Sequence, residues 1–151
     1  MRARSTTNTP ATKKCFRWPV RVYYEDTDTT GVVYYANYLR YLERARTEWL
    51  AALGFALTGL ENEHGVVFVV HRLQIEYRRP ARLGDALDVT VTIIDLGRTR
   101  LGVRQDTMRD GDVLTSANVA LACVNSVDLR PARIPAVLAT RLRGEPIESA
   151  P

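Results

Sequence analysis

One amphipathic helix, placed between a first strand and four later strands, limits the folds open to this chain. The apolar residues of its buried face recur at steps of four, three, four and three, as Tyr38, Leu42, Ala45, Trp49 and Ala52. Gly54 suits the C-terminal stop of this helix, and Asn37 is a candidate N-cap. Because only one face is apolar, the helix has to bury that face against another element.

Strand-like segments lie on both sides of this helix. Residues 16–24 alternate apolar and basic side chains, and Pro19 suits an edge strand because proline donates no ladder hydrogen bond. Four further segments with strand character follow the helix, at 66–79, 86–96, 98–108 and 113–126. Short links, such as the hairpin dipeptide Asp110-Gly111, make consecutive strands antiparallel neighbours. The sequence therefore predicts an α+β fold, in which a five-stranded antiparallel sheet wraps around one long central helix.

The length and composition fit a single domain with two short tails. The chain has 151 residues, and no apolar run approaches the ~20 residues of a membrane span. Residues 1–14 are basic and polar and lack the apolar core of a secretion signal, so we expect a flexible tail there. We expect a second flexible tail at 143–151 and the folded domain at 15–142. Two cysteines, Cys15 and Cys123, make no disulfide framework, which favours a cytoplasmic protein.

Missing motifs exclude several common functions. There is no GxSxG elbow, and none of the four serines lies near a histidine in the sequence, which argues against a Ser-His-Asp hydrolase. No HExxH or CxxC pair indicates zinc, and no glycine-rich phosphate loop is present. The net charge of +4 suits a phosphate-bearing partner. We do not expect that partner to be nucleic acid, because the sequence has no recognition motif for it.

Three acids crowd the end of the first strand: Glu25, Asp26 and Asp28. The simplest interpretation is a polar turn in which Asp and Thr bond backbone donors. A calcium loop is a second interpretation, but it offers too few ligands, since the twelfth position is Asn37 rather than glutamate. A third interpretation is catalysis. A carboxylate beside a helix start can attack a carbonyl or activate water, while free N–H groups of the helix bind the oxyanion.

The same region closely resembles a known enzyme family. RVYYEDTDTTGVVYYANYLRYLERARTEWL is similar to the YbgC branch of acyl-CoA thioesterases, relatives of 4-hydroxybenzoyl-CoA thioesterase with the hotdog fold. FRWPVRVYYEDTD, VVFVVHRLQIEYRRPARLGD and VDLRPARIP share this resemblance, which covers about residues 16–137. It implies an enzyme that hydrolyses the thioester of an acyl-CoA, with a site formed between the protomers of a homodimer or homotetramer.

The resemblance also assigns residues to this reaction. It implies that Asp28 is the catalytic carboxylate, as nucleophile or general base, and that Asp26 shapes the loop. The backbone N–H of Tyr35 would be the oxyanion donor, and Gly31 would keep the backbone close to the thioester. Many members of the branch carry a histidine where this chain has Tyr35. Tyrosine keeps the backbone N–H but has no imidazole, so only the backbone role is expected here.

Coenzyme A would bring phosphates to this site. The family supplies basic residues from the strand that matches LGRTRLGVR, which implies Arg98 and Arg100, with Arg104 as a further candidate. A solvated strand face is the alternative for each arginine. His71 is a candidate for the acyl pocket, with a structural role as its alternative.

The remaining expectations concern the whole chain. We expect the protein to need no metal or cofactor, apart from the coenzyme A that is part of its substrate. The alternative function is a non-catalytic protein that binds acyl-CoA or acyl carrier protein, and a basic nucleic-acid-binding domain is a more distant one.

Overall fold

A five-stranded antiparallel sheet curls around one helix in the computed structural model, which describes residues 15–148. The strands are β1 (Phe16–Arg21), β2 (Val66–Tyr77), β3 (Ala86–Leu96), β4 (Arg100–Arg109) and β5 (Asp112–Asn125). The helices are α1 (Asn37–Ala52), α2 (Leu57–His64) and α3 (Ala136–Arg143). The order across the sheet is β1-β3-β4-β5-β2. The predicted α+β fold, with one long helix held by a five-stranded sheet, is confirmed.

The core lies between α1 and the concave face of the sheet. Tyr41, Leu42 and Ala45 of α1 are fully buried, as are Val89 of β3 and Val103 of β4. Burying each large aliphatic side chain stabilises the fold by roughly 1.5–3 kcal/mol. The predicted stripe is therefore the face that holds the helix on the sheet, except that Ala52, where the helix ends, is exposed.

The two edge strands differ in character. Pro19 lies in the edge strand β1, opposite Asp88 of β3, in the position predicted for a residue without an N–H donor. The other edge, β2, pairs only with β5 within the described residues. It carries exposed apolar side chains, with Val69 38% and Val70 51% accessible. A long apolar edge of this kind is a surface on which another strand can pair.

Several local expectations differ from the structure. Tyr24 belongs to a short 3-10 turn rather than to the first strand, and its side chain is exposed. Asn37 is the first residue of α1 and does not cap it; its side chain bonds elsewhere. Helices α2 and α3 were not predicted.

The C-terminal boundary also differs from the expected end at residue 142. Helix α3 continues to Arg143, and Ile147 then forms a parallel bridge with Ile93 of β3. Leu138 and Leu142 are fully buried, which fixes α3 on the domain. Ile147 and Glu148 thus lie beside β3, beyond the point where its pairing with β1 stops, and the backbone N–H of Glu148 donates to the carbonyl of Ile93. The predicted tail at 1–14 and residues 149–151 lie outside the described residues.

Over residues 15–148, no helix is both long and apolar enough to cross a membrane.

Candidate active site

The acid loop forms a tight reversal between β1 and α1. The N–H of Asp28 donates to the carbonyl of Val32 (2.9 Å), and the N–H of Gly31 donates to the carbonyl of Asp28 (3.0 Å). Gly31 has φ of +81°, a left-handed conformation that residues with a side chain adopt at a cost. A Cβ at this position would have nothing within 4 Å. The glycine is therefore required by backbone conformation, and the space beside it is open.

Asp28 lies on the exposed side of this reversal. Its Oδ1 accepts the N–H of Thr30 at 2.8 Å and the Thr30 hydroxyl at 2.6 Å. These two bonds, the hydroxyl bond above all, hold the pKa of the Asp28 carboxyl below its usual range. At neutral pH the side chain is a carboxylate, the form that a nucleophile or general base requires.

Asp26 has the opposite environment. It is 8% exposed, and its Oδ2 accepts the N–H of Tyr23 at 2.9 Å. Its backbone carbonyl accepts the N–H of Tyr34 (3.0 Å) and the side-chain amide of Asn37 (2.8 Å). Burial, and then the neighbouring Asp26 carboxylate, raise the pKa of Tyr41. Asp26 thus lies in a supporting position behind the loop, and Asp28 is the acid that solvent and ligands can reach.

The helix start supplies a free donor close to this loop. Among residues 15–148 the backbone N–H of Tyr35 has no hydrogen-bond acceptor. The carbonyl of the same residue is fixed, because it accepts the Tyr77 hydroxyl at 2.9 Å. Unpaired N–H groups at a helix start attract negative charge. The free N–H of Tyr35 can therefore bind a developing oxyanion.

An aromatic cavity of about 260 Å³ opens beside Tyr35, between the helix start and the end of β2. Tyr77 packs edge-on against Tyr35 and Tyr38, with ring centroids 6.3 and 5.6 Å apart. The oxygen of Tyr38 accepts the N–H of Ala81 at 2.9 Å, and burial raises the pKa of this phenol. Tyr38 and Tyr77 were not among the site residues predicted from the sequence. The run of tyrosines in VVYYANY was the available signal, but nothing in the sequence linked it to β2.

The basic residues form a second cluster at the other end of the sheet. Nη1 of Arg100 lies 3.2 Å from Nε2 of His71, where β2 shifts its register against β5. Arg98 lines a surface cavity of about 560 Å³ together with Arg133 and Arg143, two further cations that the sequence analysis missed. Arg104, by contrast, is engaged within the fold, since it is ion-paired with Glu148 and Asp106.

Within one protomer these two clusters are far apart. Arg100 pairs across the sheet with Ala122 of β5, and Tyr77 pairs with Thr115 of the same strand. Ala122 and Thr115 are seven residues apart along β5, which corresponds to roughly 23 Å of strand. Asp28, Gly31 and Tyr35 therefore belong to one loop that leads into α1, whereas Arg98, Arg100 and His71 lie toward the opposite end of the sheet. His71 accordingly stands beside Arg100 rather than in the cavity beside Tyr35.

No group of three or more potential metal-binding side chains occurs in the described part of the chain.

A five-stranded antiparallel sheet wrapped around one long helix is the hotdog fold of thioesterases. The model of the thioesterase-like superfamily matches residues 22–142. The acyl-CoA thioester hydrolase YbgC of Escherichia coli O6:H1 is 43% identical over 121 residues, which cover 80% of this chain and 90% of that protein. This chain therefore belongs to the thioesterase-like superfamily, and the family expected from the sequence is confirmed.

Two solved structures share both fold and sequence with this chain. A probable thioesterase from Bartonella henselae superposes with a TM-score of 0.78 at 34% identity, over 81% of this chain and 100% of that one. A thioesterase from Thermus thermophilus, complexed with coenzyme A and zinc, gives 0.73 at 31% identity, over 85% and 91%. These similarities cover most of each chain, so they concern the whole domain.

Proposed function

We propose that this protein hydrolyses the thioester of an acyl-CoA to the free acid and coenzyme A. One observation carries the proposal: the ionised carboxylate of Asp28 and the unpaired N–H of Tyr35 belong to the same loop and helix start. The YbgC relatives, which are acyl-CoA thioesterases by name, support the same substrate class. The reaction needs a carboxylate, a water molecule and an oxyanion donor, and requires no metal or redox group.

Asp28 acts as nucleophile or general base in this reaction. As nucleophile, its carboxylate attacks the carbonyl carbon, the C–S bond breaks, and coenzyme A leaves as a thiolate. Water then hydrolyses the acyl-aspartyl anhydride. As general base, Asp28 accepts a proton from water while the water oxygen attacks the carbonyl carbon, and the departing thiolate takes up the proton. In both routes the N–H of Tyr35 donates to the oxyanion of the tetrahedral intermediate.

The aromatic cavity beside Tyr35 would receive the acyl group. Tyr35, Tyr38 and Tyr77 line it, together with Arg78 and Arg79. Apolar and aromatic walls favour an apolar acyl chain or ring.

We further propose that the coenzyme A arm binds to a second copy of this chain. The phosphates need cations, and Arg98 and Arg100 lie about 23 Å along the strand from the Tyr77 end of the sheet in one protomer. Antiparallel pairing of two β2 edges, centred near Leu73, would bring the strand level of Arg100 in one protomer opposite the Tyr77 end of the other, close to its acid loop. The exposed Val69 and Val70 on β2 give such a homodimer an apolar contact.

The experiment is hydrolysis of a series of acyl-CoAs, from short aliphatic to benzoyl-type, with thiol release followed for the wild type and for Asp28→Asn. We expect Asp28→Asn to lower kcat by about 10²- to 10⁴-fold, the usual worth of a catalytic base or nucleophile. Asp128→Asn is the matched control. Asp128 is also an exposed turn acid that accepts the N–H of the residue two places on, Arg130, at 3.0 Å.

The possible outcomes separate the hypotheses. Turnover that survives in Asp28→Asn at nearly the wild-type rate would show that the mechanism is wrong. If the wild type binds acyl-CoA but releases no thiol from any substrate, the protein is a non-catalytic binder. Equal losses in Asp28→Asn and Asp128→Asn would point to a general loss of structure rather than to chemistry.

A further inference from the structure

A single backbone carbonyl joins the acid loop to the helix start. The carbonyl of Asp26 accepts two hydrogen bonds, one from the N–H of Tyr34 (3.0 Å) and one from the side-chain amide of Asn37 (2.8 Å). Asp28 lies two residues after this carbonyl, and Tyr35 directly follows Tyr34. The proposed function requires the Asp28 carboxylate and the Tyr35 N–H. Each of them thus lies within two residues of a group that takes part in the hydrogen bonds at the Asp26 carbonyl.

The loop between these groups is also held by backbone hydrogen bonds, since the N–H of Asp28 donates to Val32 and the N–H of Val33 donates to Ala81. The chain from Asp28 to Val32 is a tight reversal whose threonines Thr29 and Thr30 are exposed. A surface loop of this kind shifts more easily than a packed element. The bonds at the Asp26 carbonyl act together with these contacts and are the ones that join the acid loop directly to the helix start, so they help to set the distance between the Asp28 carboxylate and the Tyr35 N–H.

Asn37 does not use its side chain for the helix itself. It is the first residue of α1, and no side chain caps that helix. Its amide instead reaches back eleven residues to Asp26, in a half-buried position. It lines none of the cavity beside Tyr35. The Asn37 side chain thus connects the acid loop to the helix start, and it does not line the cavity proposed for the acyl group.

We propose that Asn37 is a positioning residue for thioester hydrolysis. Resting on the proposed function, this inference adds that the Asn37 amide holds the helix start at the acid loop, so that the Tyr35 N–H meets the oxyanion formed by attack at Asp28. A displacement of about 1 Å between reacting groups can lower a rate by up to about 100-fold. Ground-state binding of acyl-CoA does not depend on that alignment.

The test compares Asn37→Asp and Asn37→Ala with the wild type. Aspartate keeps the shape of the side chain and is favoured at a helix start, yet it presents an acceptor to the Asp26 carbonyl in place of a donor. Alanine removes the group and is a strong helix former. We expect both variants to lose about 10- to 100-fold in kcat, with KM and the affinity for a non-hydrolysable acyl-CoA thioether unchanged.

Asn125→Ala is the matched control. Asn125 also bonds the main chain through its side chain, accepting the N–H groups of Val127 and Asp128 in the turn after β5. Each alanine variant loses hydrogen bonding worth about 0.5–1.5 kcal/mol, so urea unfolding should show comparable losses of stability. Only the Asn37 variants should lose kcat.

Two results would overturn the inference while leaving the proposed function intact. The first is full kcat in both Asn37 variants when Asp28→Asn is inactive. The second is an equal loss of kcat in Asn125→Ala, which would mean that weakened folding alone lowers the rate. If Asp28→Asn remains active, the proposed mechanism itself fails, and if the wild type hydrolyses no acyl-CoA, the proposed function fails, whatever the Asn37 variants do.

Discussion

At the scale of single residues, two aspartates two places apart have different environments because of the hydrogen bonds around them. Asp26 is buried and bonds the N–H of Tyr23, whereas Asp28 is exposed and bonds Thr30. The family resemblance alone selected Asp28 as the candidate catalytic carboxylate. The donors that keep it ionised became visible only with the turn geometry, because Thr30 directs both its N–H and its hydroxyl at the same oxygen.

This arrangement predicts the pH dependence of the reaction. In the proposed mechanism Asp28 reacts as a carboxylate, so we expect activity to be lost as the pH falls through its pKa, which Thr30 holds below the usual value of about 3.9. Thr30→Val removes the hydroxyl bond and raises that pKa. We therefore expect the acid limb of kcat/KM to move to higher pH, as measured by thiol release across the acidic range. Thr29→Val, in the same turn but without a bond to Asp28, should leave the limb in place.

At the scale of elements, a buried polar contact fixes α1 on the sheet. Gln105 of β4 is fully buried; its Nε2 donates to the carbonyl of Leu42 (2.9 Å), and its Oε1 accepts Nη1 of Arg46 (3.0 Å). Burial lowers the pKa of Arg46, and the described residues include no ion pair to it. Gln105 is thus the neutral partner that satisfies a half-buried cation.

We expect Gln105→Leu to lower the free energy of unfolding by about 1–3 kcal/mol, because it leaves the Arg46 guanidinium without its partner. Urea unfolding measures this loss. Arg46→Met combined with Gln105→Leu should recover part of it, since the unpaired cation is then gone as well. Strictly additive losses in the double variant would show that the two side chains do not depend on each other.

How far the sequence predicts these elements depends on where their stability originates. Helix α1 and the strands carry long apolar periodicities, so local pattern was sufficient for them. Helices α2 and α3 have eight residues each, and α2 buries only Leu60. Such short helices are held by tertiary packing, which a local pattern does not contain. For the same reason the sequence did not predict the contact of the Asn37 side chain, whose acceptor lies eleven residues away.

At the scale of the whole molecule, the position of the arginines decides how many chains make one site. The spacing of residues along the sequence could suggest Arg98 and Arg100 but could not place them, because their distance from Asp28 depends on the register of β2, β4 and β5. If one site combines Asp28 of one protomer with Arg100 of its partner, catalysis requires the dimer. If both belong to one protomer, a monomer would suffice.

Mixed dimers of two impaired variants distinguish these arrangements. Asp28→Asn lacks the carboxylate, and Arg100→Ala lacks a phosphate contact and should turn over slowly at low acyl-CoA concentration. When the two chains are co-expressed and pair at random, half of the dimers are mixed, and each of these has one site with both groups intact. We therefore expect about a quarter of wild-type activity per site from the mixture, well above that of either variant alone. Activity that equals the average of the two parents would place Asp28 and Arg100 in the same protomer and exclude the shared site.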